Sequence, residues 1–184
     1  KDPTRIEAYW RHVFEQFDFV GVQGAEMRAM SAMDMAMWDL LGQSCGKPIY
    51  QLLGGACRDR IKIYNTSGSE PGLDFMINPD EFAQDLLANG IQAMKIWPYD
   101  ELALESDGHY ISLPDLQKGL EPIRKIREAV GHEMDIAIEF HGHWDLQCAV
   151  RIAQSLEAYE VMWLEDMMHP ENLDAYEHLS RATR

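Results

Sequence analysis

At 184 residues, 46% hydrophobic and 26% charged, the chain has the composition of an ordinary globular protein with enough apolar material for a real core. Its formal net charge of -15, from 16 Lys and Arg against 31 Asp and Glu, argues against nucleic acid and anionic membranes as partners, because both attract clustered cations. No window reaches the ~18 consecutive apolar residues of a membrane span and the opening lacks the basic-then-apolar pattern of a signal peptide, so the expectation is a cytoplasmic protein.

Residues 2–17 open on Asp2-Pro3-Thr4, a helix-start signal, and Ile6, Tyr9, Trp10, Val13, Phe14 and Phe17 then fall on one helical stripe. After a loop around residues 21–24, residues 25–41 carry Ala and Met on almost every face, and the pattern predicts a buried helix. Its Met27, Met30, Met33, Met35 and Met37 read as adaptable core filling rather than as a peptide-binding groove. Residues 48–53 form a short turn or helix stopped at Gly54-Gly55, a pair that lacks the spacing of a phosphate-binding loop. Cys45, Cys57 and Cys148, odd in number and widely spaced, fit neither a disulfide framework nor a zinc pattern and are expected to be reduced.

From residue 61 short strands alternate with helices. Strands are predicted over 61–65, 91–97, 134–140 and 161–165. Asn78-Pro79-Asp80-Glu81 offers an N-cap, a proline at the first helical position and a capping-box glutamate for a helix closing at Gly90. An acidic loop over 98–113 precedes a helix over 114–130, and further helices are predicted over 145–159 and 171–182. Strand-helix units without hairpin signals imply parallel strands, in either a doubly wound sheet or a (β/α)8 barrel. The region after residue 60 is long enough for about half of such a barrel.

The strand over 134–140 ends in Glu139, His141 and His143, and the strand over 161–165 ends in Glu165 and Asp166. Acids delivered at the ends of two successive parallel strands suggest half of a metal site, since neighbouring strands lie ~4.8 Å apart. The bland alternative is a pair of solvated glutamates. His141 follows Glu139 by two, so the pleat predicts that both leave the strand on the same face.

The stretch 31–41, with Met33, Asp34, Trp38 and Asp39, followed by Gly46-Lys47-Pro48-Ile49-Tyr50-Gln51-Leu52-Leu53-Gly54-Gly55, resembles the segment joining the capping domain to the barrel in the mandelate racemase/muconate lactonizing branch of the enolase superfamily. Lys95, Glu139 and Glu165 fall where that family places a catalytic lysine motif and its first two metal ligands. The resemblance implies residues 1–58 as the helical part of a capping domain and 59–184 as the first half of a (β/α)8 barrel, an α/β fold. It further implies capping-domain sequence before Lys1 and four more βα units after Arg184, which would carry the third carboxylate ligand.

What the resemblance implies chemically is a magnesium-dependent dehydratase of a sugar-acid carboxylate, working through an enediolate, in a homo-oligomer. Members resembling galactonate and mannonate dehydratases carry a histidine at the place of His141 and use it as the acid that expels a hydroxyl. Lys95 is the group expected to neutralise the substrate carboxylate, and Trp97 and His143 are candidate substrate contacts. Two departures stand out: Glu139 replaces the family's usual Asp, and Trp97 replaces the second lysine of the Lys-x-Lys motif of racemases. Trp97, Trp144 and Trp163 are alternatively packing residues. An epimerase or cycloisomerase of the same superfamily, or a member that has lost its site, are the other readings.

Overall fold

The computed structural model describes residues 2, 4–19, 21, 23–66 and 69–183. Two compact units divide it, Lys1–Ile61 and Lys62–Arg184. No helix among the described residues is long and apolar enough to cross a membrane.

The first unit is helical: α1 (Ile6–Phe17), α2 (Ala25–Cys45) and α3 (Ile49–Leu52). Asp2 serves a local turn with Thr4 rather than the helix itself, which begins after Arg5; Pro3 of the start signal, and Val22 in the loop before α2, lie outside the described residues. α2 runs past residue 41 to a left-handed Gly46, whose N–H closes onto Gln43 and Gly42. The expectation of a buried α2 is corrected. Met30, Met37 and Gly42 are buried, whereas Met33, Met35 and Leu40 are exposed. Met30 and Met37 stand two turns apart and share one side of the helix, so one stripe is covered within this unit and the remaining apolar faces are not.

The second unit opens with a small antiparallel hairpin that the sequence reading missed, β1 (Ser69–Glu70) with β2 (Leu73–Asp74). It continues through α4 (Pro79–Ala88), β3 (Ala93–Ile96), α5 (Asp100–Ser106), α6 (Leu113–Val130), β4 (Asp135–Glu139), α7 (Leu146–Leu156), β5 (Trp163–Glu165) and α8 (Leu173–Ala182). β3, β4 and β5 form a parallel sheet in that order, with helices between them: a mixed α/β fold and part of a barrel. Pro79 does begin α4, but the expected capping box takes another form. The Asn78 amide donates to Glu81, and its oxygen accepts from the Asp74 N–H of the hairpin.

Two further expectations are corrected. The first predicted strand, residues 61–65, is reduced to a parallel bridge at Asn65, which exchanges backbone hydrogen bonds with Ala93 and Lys95, while Ile61 and Ile63 are exposed. The acidic stretch 98–113 is not a loop throughout, because α5 occupies its first half and turns Leu102 and Ala103 into the core.

Sheet alternation sorts the side chains. Met94, Ile96, Ile136 and Ile138 pack with Phe82, Leu120, Ile123, Ile126 and Ile152 of the helices into one core. The intervening residues Lys95, Ala137, Glu139, Trp163 and Glu165 take the opposite face, with Glu139 beside Glu165 in register and Ala137 beside both Lys95 and Trp163. The interior pleat thus delivers one cation and two anions to a single face.

Candidate functional site

Lys95 sits at the centre. Its Nζ donates to Glu139 Oε2 at 2.9 Å and to Glu165 Oε1 at 3.0 Å. The side chains of Lys95 and Glu139 are 12% and 6% exposed, so this is a largely dehydrated ion pair, whereas Glu165 is 33% exposed and faces outward more. Burial disfavours the Lys95 ammonium, but the hydrogen bonds and charges of the two glutamates outweigh it and raise its pKa. Burial likewise opposes the Glu139 carboxylate, and Lys95 and the His141 backbone N–H reverse that, holding its pKa below the ordinary range.

The extra methylene of Glu139 has a visible use. Its Oε1 turns back to accept the backbone N–H groups of Phe140 at 3.2 Å and His141 at 3.1 Å, while Oε2 reaches Lys95. Glu165 is fixed in a similar way, since Trp163 Nε1 donates to its Oε2 at 2.9 Å. Tyr64 closes the far side, its ring edge-on to Trp163 at 5.2 Å and 6.0 Å from the Lys95 ammonium. Trp163 therefore belongs to the site, whereas Trp144 is buried in the core.

His141 reaches its place by a different route from the one the pleat predicts. β4 ends at Glu139, and His141 adopts a left-handed backbone with φ 50, as does Asp166 after β5 with φ 43. Alternation therefore stops one residue short of it. Gly142 N–H donates to Asp166 O at 2.6 Å and Trp144 N–H to Met167 O at 3.2 Å, so the loops after the two strands are zipped together. Strained residues held in this way are over-represented at functional sites.

The imidazole of His141 pairs with Asp100, the first residue of α5, with Nδ1 to Oδ2 at 2.6 Å. Asp100 is the functional candidate that sequence reasoning missed, since it lies within the acidic stretch 98–113 expected to be a loop. Its signal was its place five residues after Lys95, just past a strand end. Burial raises its pKa, and the hydrogen bond from His141 opposes that without cancelling it. Tyr99 anchors Asp100 from behind, its fully buried ring stacked on Phe140 at 5.6 Å.

Trp97 and His143 flank the imidazole, with ring centroids 6.1 Å and 6.2 Å from that of His141. Trp97 in turn meets Phe75 edge-on at 5.1 Å. His143 is positioned through its backbone. It bridges to Met168, and its carbonyl lies against Gly108, where a Cβ would overlap the oxygen; with φ +72, that position suits glycine alone. The structure thus brings together all six residues selected from the sequence, in two adjoining groups. One is Lys95, Glu139 and Glu165; the other is His141, His143 and Trp97 with Asp100.

The carboxylates of Glu139 and Glu165 converge on one point of positive charge, now filled by the Lys95 ammonium. Two such oxygens suit a hard divalent cation. The imidazoles and Asp100 form a second group, of mixed nitrogen and oxygen donors, that could hold a metal ion.

Comparison with known proteins bears on the family of the chain. The mandelate racemase / muconate lactonizing enzyme N-terminal domain matches residues 1–54, and the enolase C-terminal domain-like family matches residues 79–184. The chain is 34% identical over 176 residues to a D-gluconate dehydratase of Thermoproteus tenax, covering 96% of this chain and 34% of that protein. It is 28% identical over 183 residues to a D-galactonate dehydratase of Variovorax paradoxus, covering 100% of this chain and 45% of that protein. An enolase protein structure from environmental sequencing of the Sargasso Sea superposes with a TM-score of 0.88 at 41% identity, over 100% of this chain and 48% of that one. The chain therefore spans between a third and a half of the length of these relatives. The enolase C-terminal domain-like match extends over more than half of the chain, and the chain belongs to that family, within the enolase superfamily.

Proposed function

We propose that this chain carries part of the active site of a magnesium-dependent dehydratase acting on a sugar-acid carboxylate. The observation that carries the reading is the adjacency of the Lys95–Glu139–Glu165 cluster, one ammonium against two carboxylates, and a His141–Asp100 pair on the loops of the same strand ends. The names of the dehydratase relatives support the reaction class.

Glu139 and Glu165 are the residues that would hold magnesium, and their convergence on a shared cation fits them for it. The ion, when bound, withdraws charge from the substrate carboxylate and eases loss of the neighbouring proton. Lys95 supplies further positive charge to that carboxylate. The α-proton passes to a base outside this group, and the β-hydroxyl must leave as water. His141 is the group suited to protonate it, because Asp100 occupies Nδ1 and leaves Nε2 for exchange with the substrate. Trp97 and His143 bound the space beside that imidazole and contact the sugar chain.

The test is turnover of D-gluconate, D-galactonate and related aldonates by the full-length protein with magnesium, read as formation of a 2-keto-3-deoxy acid. His141→Asn is expected to lower kcat by roughly 10²–10⁴-fold, the usual contribution of a general acid. Asp100→Asn is expected to give a smaller loss. A full-length protein that binds no magnesium and converts no aldonate overturns the reading.

A further inference from the structure

The donor group of Asp100, His141 and His143 differs in chemistry from the two glutamates. One ligand atom from each of the three lies within 4.8 Å of the others. Asp100 Oδ2 is engaged by His141, yet its Oδ1 is buried without a hydrogen-bond partner among the described residues. A buried acceptor left in this state is uncommon in native proteins and points to a missing donor or ion. The two histidines, in contrast, have exposed side chains on a backbone that is held on both sides: Gly142 is tied to Asp166, and His143 is bridged to Met168 and backed by Gly108. The cluster is therefore fixed in its framework and open to solvent at its ligating face.

Magnesium favours all-oxygen sites, whereas two imidazoles with one carboxylate favour the later divalent transition ions, which accept nitrogen readily. We propose that Asp100, His141 and His143 form a second metal site, selective for a transition ion such as zinc or cobalt and separate from the Glu139–Glu165 pair. The Asp100 carboxylate supplies one oxygen and offsets part of the ion's charge. An ion seated there takes His141 out of proton exchange, so that site occupancy and turnover are mutually exclusive. That consequence rests on the dehydratase reading; the site itself does not.

Cobalt(II) is the probe, because its visible absorption reports nitrogen and oxygen ligation directly. Full-length protein held in excess magnesium is titrated with cobalt and followed by absorption and calorimetry, alongside the His143→Ala, Asp100→Asn and Glu165→Gln variants. One cobalt per chain is expected to bind despite the magnesium, with affinity reduced roughly tenfold or more in His143→Ala and in Asp100→Asn. Glu165→Gln should leave it unchanged. Asp100→Asn retains shape and the exposed His143 is truncated without loss of core, so unfolding of one variant leaves the other to decide. Cobalt binding that is absent, that survives both substitutions, or that disappears with Glu165→Gln overturns the site. A protein that binds cobalt as expected yet dehydrates no aldonate retains the site and overturns only the dehydratase reading.

Discussion

Lys95 Nζ stands 2.9 Å from Glu139 Oε2, and the two residues are 44 apart in the chain. The ammonium also reaches Glu165, so one buried cation serves two carboxylates that converge on it. Its removal would leave Glu139 without a counter-charge in a largely dehydrated place, and the more exposed Glu165 without its partner. Breaking such a pair from one side costs about 3–5 kcal/mol. Lys95→Met is accordingly expected to lower the Tm of metal-free protein by several degrees. Magnesium should then raise the Tm of the variant by more than it raises that of the parent protein, because the ion replaces the missing charge. Equal shifts by calorimetry would contradict ligation by this pair.

The same pair sets a pH window for metal-free protein. The pKa of Glu139 lies below its ordinary value of 4.5, so its stabilisation is complete above that value and is lost as pH falls through the depressed pKa. The pKa of Lys95 lies above its ordinary 10.5, so its share is complete below that value and is lost as pH rises through the raised one. Thermal unfolding across pH should show a plateau between these limits, with an acid and an alkaline limb that Lys95→Met makes shallower.

Behind the second group lies a packing constraint. Gly119 of α6 faces Tyr99 so closely that an added Cβ would fall on the ring. Alanine gains about 1 kcal/mol in helix propensity over glycine, whereas overpacking a full core costs about 1–3 kcal/mol. Gly119→Ala is expected to be destabilising on balance by denaturant titration. Tyr99 immediately precedes Asp100, so under the proposed dehydratase function aldonate turnover should fall further than in a variant of equal stability made elsewhere.

Cysteine accessibility offers a third kind of check. Cys148 is buried in α7, and burial together with the nearby Asp145 carboxylate pushes its thiol up to about 11, whereas Cys45 and Cys57 are exposed. Since the thiolate is the reactive form, iodoacetamide at neutral pH should modify Cys45 and Cys57 while sparing Cys148. Peptide mass spectrometry reads this directly, and denaturant should expose all three.

The sequence alone determined the alternation of strands and helices, the parallel sheet and the acids at strand ends, because period-two and helical patterning are local properties of the chain. It also marked Glu139, Glu165 and His141, since a charged residue at the end of an apolar run is visible without a partner, whereas Lys95 is singled out by its resemblance to the family's lysine motif. Burial was another matter: α2 reads as apolar on nearly every face, yet Met33 and Met35 are exposed, because composition records what a surface can bury and not what covers it. Only the tertiary structure decided that Lys95 bridges both glutamates, that His141 leaves the pleat through a left-handed turn, and that Asp100 meets it across 41 residues of chain. These relations depend on strand register and on loops packed against one another, and such long-range contacts leave no periodicity in the sequence that makes them.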